Sequence, residues 1–578
     1  MKVKSNEAMS LAWMKKNKRS RLESNWLMKL MLIILLLALI TVIVLPLLSM
    51  FKQAFVDSEG NLVGLTNFAT YLQSRSLIQS MLNTVTVSAA TTAIAVPLAF
   101  GLAYVLTRTN IKGKSFFKAL AMLPLFAPTM MHGIALTYLF GHQGLISTGL
   151  FGLLPFEWRI PLYGSTGIII SEVIYTFPQA FLILCAGLAI SDYRLYEAAD
   201  SMGASGLRKM VTITLPSVKY ALLSAVVICF TLSFTDFGAP KVVGGQFNVL
   251  ATDIFKQVVG QQNMSMGAVV GIVLTIPAII AFVVDRIVTR KQQAYVTSKS
   301  VPYSVKPSRL RNVGSYAYAI ILSALILLMM GAVILASVVK KWPYDMSFTW
   351  SNFDFSNAAA GGFDPFWNSI EMAAWTAVIG TLVTFMFAYL IENGRVYRPV
   401  RQAAYFLSIL PLALPGLVIG LSFIYFFNHP ANPFHFIYGT MIILVLANVV
   451  HFYSVPFMTA TATLKMLDKE FDNVSESMNV SKLRTFTRIT VPLSLPAILE
   501  MAVYFFVNAM VTVSALVFLY ASDLRLASVS IVSMDDAGDT AAAAAMSVLV
   551  VLLNVVVRFL YETGTSRLRR KMSAWQKR

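Results

Sequence analysis

Twelve apolar runs separated by short polar connections constrain this chain more than any other feature of its sequence. They lie near 30–50, 79–106, 119–140, 164–190, 217–240, 264–288, 315–339, 366–391, 404–427, 438–463, 493–520 and 541–561. A helix crossing the ~30 Å hydrocarbon layer needs about 20 apolar residues, so each run predicts one membrane-spanning helix. Of the 578 residues, 57% are hydrophobic and 13% charged, with mean hydropathy +0.69. Soluble proteins carry about 25% charged residues and could not hide so much apolar surface, which excludes a soluble multidomain enzyme. No loop or tail exceeds roughly 30 residues, fewer than the ~50 of an independent domain. The expected fold is an all-α membrane protein of twelve transmembrane helices with no soluble module. The first run is flanked by Lys15, Lys16, Lys18, Arg19 and Arg21 and is too long for a signal-peptide core, so it reads as a retained helix.

The formal charge is +19, from 46 basic and 27 acidic residues. With the N-terminus placed in the cytoplasm, 38 of the 46 basic residues fall on that side, which we call the basic face. The opposite face holds eight: Lys52, Arg75, Arg159, Lys241, Lys256, Lys340, Lys341 and Arg525. This asymmetry follows the positive-inside rule and predicts both termini in the cytoplasm. Basic residues in short runs between spans point to the lipid bilayer, not nucleic acid, as partner. Cys185 and Cys229 sit inside apolar runs and read as small buried hydrophobes.

The two halves repeat each other. Asn83 with Ala103-Tyr104 recurs as Asn368 with Ala388-Tyr389 at an offset of 285. Leu123-Pro124-Leu125, Pro128, Gly133 and Tyr138 recur as Leu410-Pro411-Leu412, Pro415, Gly420 and Tyr425 at 287. Tyr175 with Pro178 returns as Tyr453 with Pro456 at 278. Each half holds an even number of spans, so both insert with the same orientation, as a parallel repeat about an axis along the membrane normal. The expected organisation is an N-terminal tail (1–29), a first six-span domain (30–288), a linker (289–314), a second six-span domain (315–561) and a basic tail (562–578).

Between the fourth and fifth runs the sequence reads Glu197-Ala198-Ala199-Asp200-Ser201-Met202-Gly203, with Ile213, Leu215 and Pro216 following. This predicts a short helix with Glu197 near its start, favoured there by the helix dipole, then a turn at Gly203 and a second short helix. Ala198, Ala199 and Met202 form a small apolar patch suited to a groove. The stretch resembles the E-A-A-x3-G-x9-I-x-L-P loop of permease subunits of binding-protein-dependent ABC importers. The second half keeps Ile489, Val491 and Pro492, which places Asn473, Val474 and Ser475 at the E-A-A positions and Asn479 at the glycine. Asn tolerates left-handed geometry better than other side chains, and Asp472 or Glu476 could replace the missing acid.

The resemblance implies two six-helix type I ABC importer permease domains in tandem with pseudo-twofold symmetry, set in a bacterial inner membrane. It implies two cytoplasmic ATPase subunits and a solute-binding protein on the outer side. Glu197, Ala198, Ala199 and Gly203, with Asn473, Glu476 and Asn479, would then couple ATPase closure to the spans. No phosphate-binding loop is present, because the glycine required five residues before Gly113-Lys114-Ser115 is Arg108. ATP and Mg2+ therefore belong to the partner, and this chain is expected to bind no cofactor, to hold no metal and to catalyse no reaction. His132, His142, His429, His435 and His451 are too scattered for a metal site and read as satisfied or solvated.

Ionisable and amide groups within spans are candidate path residues: Glu172, Asp236, Asn448 and Asn508. Their alternative role is packing by interhelical hydrogen bonds. Glu500 reads as a further path residue or an inner-interface group, and Asp285 beside Arg286 as a span-end ion pair. Fused permeases of this kind resemble those for iron(III), thiamine and 2-aminoethylphosphonate. Residues 235–241 with 248–253, and 510–515 with 534–540, look most like the 2-aminoethylphosphonate group, which makes that the expected cargo and iron(III) the alternative. An ion-coupled twelve-span transporter would need no such loops and would show acid–base pairs deep in the membrane. An intramembrane enzyme lacks a catalytic constellation.

Overall fold

The structure is a computed structural model and describes residues 26, 28–57, 59–152, 155, 157–189, 191–295, 308–356, 362–393, 398–468, 470–478 and 480–576. Eight single helices within it are long and apolar enough to cross a bilayer: Met28–Gln53, Arg75–Arg108, Ser165–Ala189, Met264–Thr289, Arg309–Val338, Asp364–Asn393, Lys482–Val511 and Thr540–Ser566. Four bent pairs complete the set. Lys114–Phe126 meets Thr129–Phe140 at 102°, and Gly206–Ser217 meets Lys219–Thr235 at 70°. Arg398–Ala413 meets Gly416–Phe427 at 112°, and Met441–Phe452 meets Ser454–Met466 at 57°. Counting each pair once gives spans 1 to 12 in chain order, at the positions of the twelve runs.

The runs at 119–140 and 404–427, expected as single helices, are therefore hinged, and the duplicated prolines are the cause. Pro124 and Pro411 sit in tight 3-10 turns, Leu123–Phe126 and Leu410–Ala413. Pro128 and Pro415 then adopt extended backbone, ψ 143° and 142°, immediately before the next helix. Proline donates no hydrogen bond and pushes the residue before it out of the helical region, so two prolines four residues apart break a span.

The halves interlock by exchange. The C-terminal part of span 1 (Leu45–Gln53) packs on Gly416–Phe427 of the second half, and span 7 packs on Thr129–Phe140 of the first. The repeated tyrosines cross in the same sense. Tyr138 bonds Thr540 Oγ1 at 3.0 Å, and its counterpart Tyr425 donates to the Met264 carbonyl at 2.6 Å. The repeated asparagines also do one job twice. Asn83 Nδ2 donates to the Asn248 carbonyl (2.9 Å) and Asn368 Nδ2 to the Arg525 carbonyl (3.1 Å). Next to them the Leu250 and Ala527 amides are capped by Thr84 Oγ1 (2.9 Å) and Ser369 Oγ (2.8 Å). These bonds pin a short helix of each half, Leu250–Phe255 and Ala527–Asp536, against spans 2 and 8 on the face opposite the basic one. A buried backbone donor must find a partner, so the side chains that fix these helices recur with them.

Candidate functional site

On the basic face the loop between spans 4 and 5 folds as a helix, Tyr193–Ser201, whose first turn is capped by Asp192 accepting from the Arg194 amide at 3.1 Å. Glu197 thus lies mid-helix, not near the start, and the capping acid is Asp192. The helix ends where Gly203 turns at φ 67°. Its end carries the Schellman pattern: the Ala204 amide donates back to the Ala199 carbonyl at 2.9 Å and the Gly203 amide to the Asp200 carbonyl at 3.0 Å, with the Met202 amide on the Ala198 carbonyl at 3.1 Å in the last helical turn. Ser205 then caps a new turn through the Arg208 amide (3.3 Å), and Asp200 pairs with Lys209 across the bend. A π-helical stretch, Met210–Thr214, leads into span 5.

The second loop repeats this backbone at an offset of 276 although its side chains differ. Its helix is Glu470–Ser477. The Val480 amide donates to Ser475 at 2.9 Å and the Met478 amide to Val474 at 2.8 Å. Ser481 caps through the Arg484 amide (3.4 Å), and Phe486–Thr490 is again π-helical. Asn473 is exposed, while Asn479 and the Glu476 side chain lie outside the described residues.

Both loops expose the same apolar stripe. Leu195 (53% exposed), Met202 (85%) and Leu207 (77%) have Phe471 (44%), Met478 (72%) and Leu483 (72%) as counterparts, with Ala198 exposed opposite Val474 (54%). Positions 195, 198 and 202 share one helix face, so each stripe is one continuous exposed apolar surface. The sequence patch of Ala198, Ala199 and Met202 is thus only partly right. Ala199 is half-buried, and Leu195 and Leu207, which the i, i+3, i+7 spacing could have disclosed, carry much of the surface.

Behind the first stripe a buried chain of polar contacts leads to the spans. The Arg108 guanidinium donates to the Leu188 carbonyl at 2.7 Å and to Ser191 Oγ, and lies 5.5 Å over the Tyr196 ring. Tyr196 in turn bonds Thr214 Oγ1 at 2.9 Å. Spans 2, 4 and 5 and the exposed helix are therefore tied at one point.

Within the spans the candidate path residues divide. Glu172 of span 4 is fully buried and faces Asp236 at the end of span 5. Neither Glu172 oxygen has a donor among the described residues, and Asp236 accepts from the Ala239 amide at 2.9 Å. Tyr175 and His132 adjoin them with rings 6.5 Å apart. Asn448 is elsewhere, donating to Met372 Sδ at 3.2 Å, and Asn508 bonds its own helix at the Tyr504 carbonyl (2.7 Å). Glu500 pairs with Arg558 at 3.0 Å and meets Tyr561, which fits the inner-interface reading. Asp285 accepts from Ser224 (2.9 Å) while Arg286 reaches Met458 Sδ (3.1 Å), so the expected Asp285–Arg286 pair does not form. Nor are all histidines satisfied: both His132 nitrogens and His451 Nδ1 are buried without a partner among the described residues. Burial by apolar spans left no donor in reach, which sequence spacing does not disclose.

Among known proteins, the family described as "Binding-protein-dependent transport system inner membrane component" matches residues 95–293 and again 380–570. The ferric transport system permease protein FbpB of Actinobacillus pleuropneumoniae is 29% identical over 486 residues, covering 81% of this chain and 69% of that one. A putative ferric transport permease of Haemophilus influenzae is 29% identical over 517 residues, covering 86% and 78%. The putative 2-aminoethylphosphonate permease PhnU of Salmonella typhi is 25% identical over 247 residues, covering 42% of this chain and 84% of that one. With the family matched over both halves, this chain belongs to the inner membrane components of binding-protein-dependent transport systems, as a fused tandem ABC importer permease.

Proposed function

We propose that the chain is a gate driven from outside itself, through ATPase subunits that seat the two apolar stripes on its cytoplasmic face. The observation that carries this is the recurrence of one exposed stripe on one backbone turn, twice, in a chain with no phosphate-binding loop. Closure of two ATPases around ATP and Mg2+ would draw the helices at 193–201 and 470–477 together. Arg108 and Tyr196 would pass the movement into spans 2, 4 and 5. A solute-binding protein on the outer side would deliver cargo to the opened bundles. Introducing charge by Met202→Glu with Met478→Glu should abolish uptake while leaving the chain in the membrane. Normal uptake by that variant would overturn the coupling assignment.

For the cargo the better-supported reading is ferric iron, the alternative in the sequence analysis, in place of 2-aminoethylphosphonate. The ferric relatives align across both halves, the phosphonate relative across one. Glu172 and Asp236 also bring carboxyl oxygens together within the spans, a ligand type that suits a hard cation better than a phosphonate. What favours 2-aminoethylphosphonate is the likeness of residues 235–241 and 534–540 together with the 247-residue match. Uptake of labelled ferric ion against labelled 2-aminoethylphosphonate in a deletion strain decides between them. Glu172→Gln should lower only the former, and accumulation of the phosphonate alone would overturn the iron assignment.

A further inference from the structure

The ground beneath the two exposed helices is built differently in the two halves. In the first, the buried Arg108 side chain fills it. In the second, the repeat puts Asn393 in place of Arg108 and Asp472 in place of Tyr196. A cavity of about 570 Å3 opens there, lined by the basic Arg401, Lys465 and Lys482, the acidic Glu392 and Asp468, and Asn473 and Ser475 of the exposed helix. Glu392, Arg401 and Lys465 also line an adjoining groove of about 410 Å3, continued by the apolar faces of Ile391, Tyr405, Phe406 and Ile409. A basic polar chamber thus opens onto an apolar trough at the end of the spans.

The first half shows what such a trough otherwise needs. There the helix at the start of span 3 is covered by span 7, with the Lys112 amide donating to Tyr316 Oη at 2.6 Å and Phe117 against the Tyr316 ring at 6.5 Å. The lining of the second-half groove comes from spans 8, 9 and 10, and Phe406 stays 55% exposed. Lys465 is held 3.4 Å from Glu392, while Arg401 makes no ion pair among the described residues. The helix that carries Arg401, Arg398–Ile409, turns Arg401 into the same groove as Tyr405, Phe406 and Ile409, basic near its start and apolar further along.

We propose that this site holds one anionic phospholipid of the inner leaflet, its phosphate between Arg401 and Lys465 and an acyl chain along Ile391, Phe406 and Ile409. The lipid supports the second exposed helix from below, as Arg108 supports the first. Charge complementarity and the continuity of chamber with trough select this occupant, because basic pockets between spans on the cytoplasmic side take anionic headgroups. The inference rests on reading the basic face as cytoplasmic, but its test needs no ATPase and no cargo, so it fails or holds apart from the importer assignment.

The full chain, purified alone, is placed in nanodiscs of phosphatidylcholine with or without phosphatidylglycerol, and retained lipid is counted by native mass spectrometry. One phosphatidylglycerol per chain should be retained. Arg401→Gln with Lys465→Gln should weaken retention about 30-fold, the factor for removing two basic groups from an anionic surface. Arg401→Lys should keep most of it, which separates lost charge from lost folding. Asn393→Arg, which returns the guanidinium of the first half, should displace the lipid with the melting temperature unchanged. Equal retention of phosphatidylcholine, or retention indifferent to the double substitution, would overturn the proposal. So would release of the lipid by millimolar inorganic phosphate, which would mark a site for a soluble anion.

Discussion

Replacing Arg108 with Asn gives the first half the residue that the repeat carries at 393, and so isolates what the buried guanidinium does. Two hydrogen bonds end on it, from Nη2 to the Leu188 carbonyl and to Ser191 Oγ, and its face covers the Tyr196 ring. Bonds from a charged donor contribute roughly 1.5–3 kcal/mol each. Losing both at the low end costs about 3 kcal/mol, a factor of about 150 in a local opening equilibrium. The loss falls on the helix Tyr193–Ser201, because Tyr196 is its link to Thr214 and the spans. Amide hydrogen exchange of residues 193–201 in nanodiscs should therefore accelerate about 100-fold in Arg108→Asn, since exchange follows local opening. Residues 470–477 should be unaffected and serve as the internal control. Exchange at 193–201 within threefold of the unaltered chain would refute the brace and leave Arg108 as packing alone.

Gly203 stands at φ 67° with open space around it, so Gly203→Val should impair coupling through backbone strain of about 1–2 kcal/mol, whereas Gly203→Asn should retain uptake. At Gly420 the obstacle is steric, since an added Cβ would lie 2.7 Å from the Ala515 carbonyl. Gly420→Ala should therefore lower the melting temperature through a clash, whereas the cost of Gly203→Ala is the backbone strain alone. Asn83→Ala and Asn368→Ala each strip a donor from a carbonyl that holds a short helix opposite the basic face, and each should cost about 1–3 kcal/mol in thermal unfolding. Burial, with Asp536 beside it, pushes the Asp535 carboxyl up to about 6 despite Lys241. The folded chain then keeps a proton that the unfolded chain releases near pH 4, so this group's contribution to stability falls as pH rises from 4 to 6. Asp535→Asn should flatten that part of a melting-temperature profile.

The spans, the repeat and the helix–turn form of the loop at 193–216 were legible because each rests on a pattern that backbone periodicity enforces. Apolar runs of about 20 residues have few fates, and E-A-A-x3-G-x9-I-x-L-P spaces a helix, a turn and a span start. The hinges were written in the same residues that marked the repeat, Pro124, Pro128, Pro411 and Pro415, but a run of apolar letters conceals a 102° bend. Arg108 entered the sequence reading only as a residue that spoils a phosphate loop. Nothing local to it announces that a charge at the end of span 2 turns inward onto Leu188 and Ser191, eighty residues away. The meeting of Glu172 with Asp236, and the isolation of His132, depend on which faces of spans 3, 4 and 5 touch, which hydropathy leaves undetermined.

The second coupling loop explains how a motif can lose its lettering and keep its form. What shapes the first loop is the bond from Ala204 to Ala199, the Ser205 cap and the π-helical entry to the span. Only the cap uses a side chain, and Ser481 conserves it in the copy. Glu197 and Ala198 contribute only backbone to the turn, so the side chains of Asn473 and Val474 can stand in their places while Val480 still reaches Ser475. What changes is beneath: Asn393 replaces the Arg108 brace, and a cavity takes its room. Two exposed helices that share a surface but not a foundation should not move as a symmetric pair. Before any substitution, then, the helix at 470–477 should exchange its amides faster than that at 193–201, and equal rates would mean that the two foundations are mechanically alike.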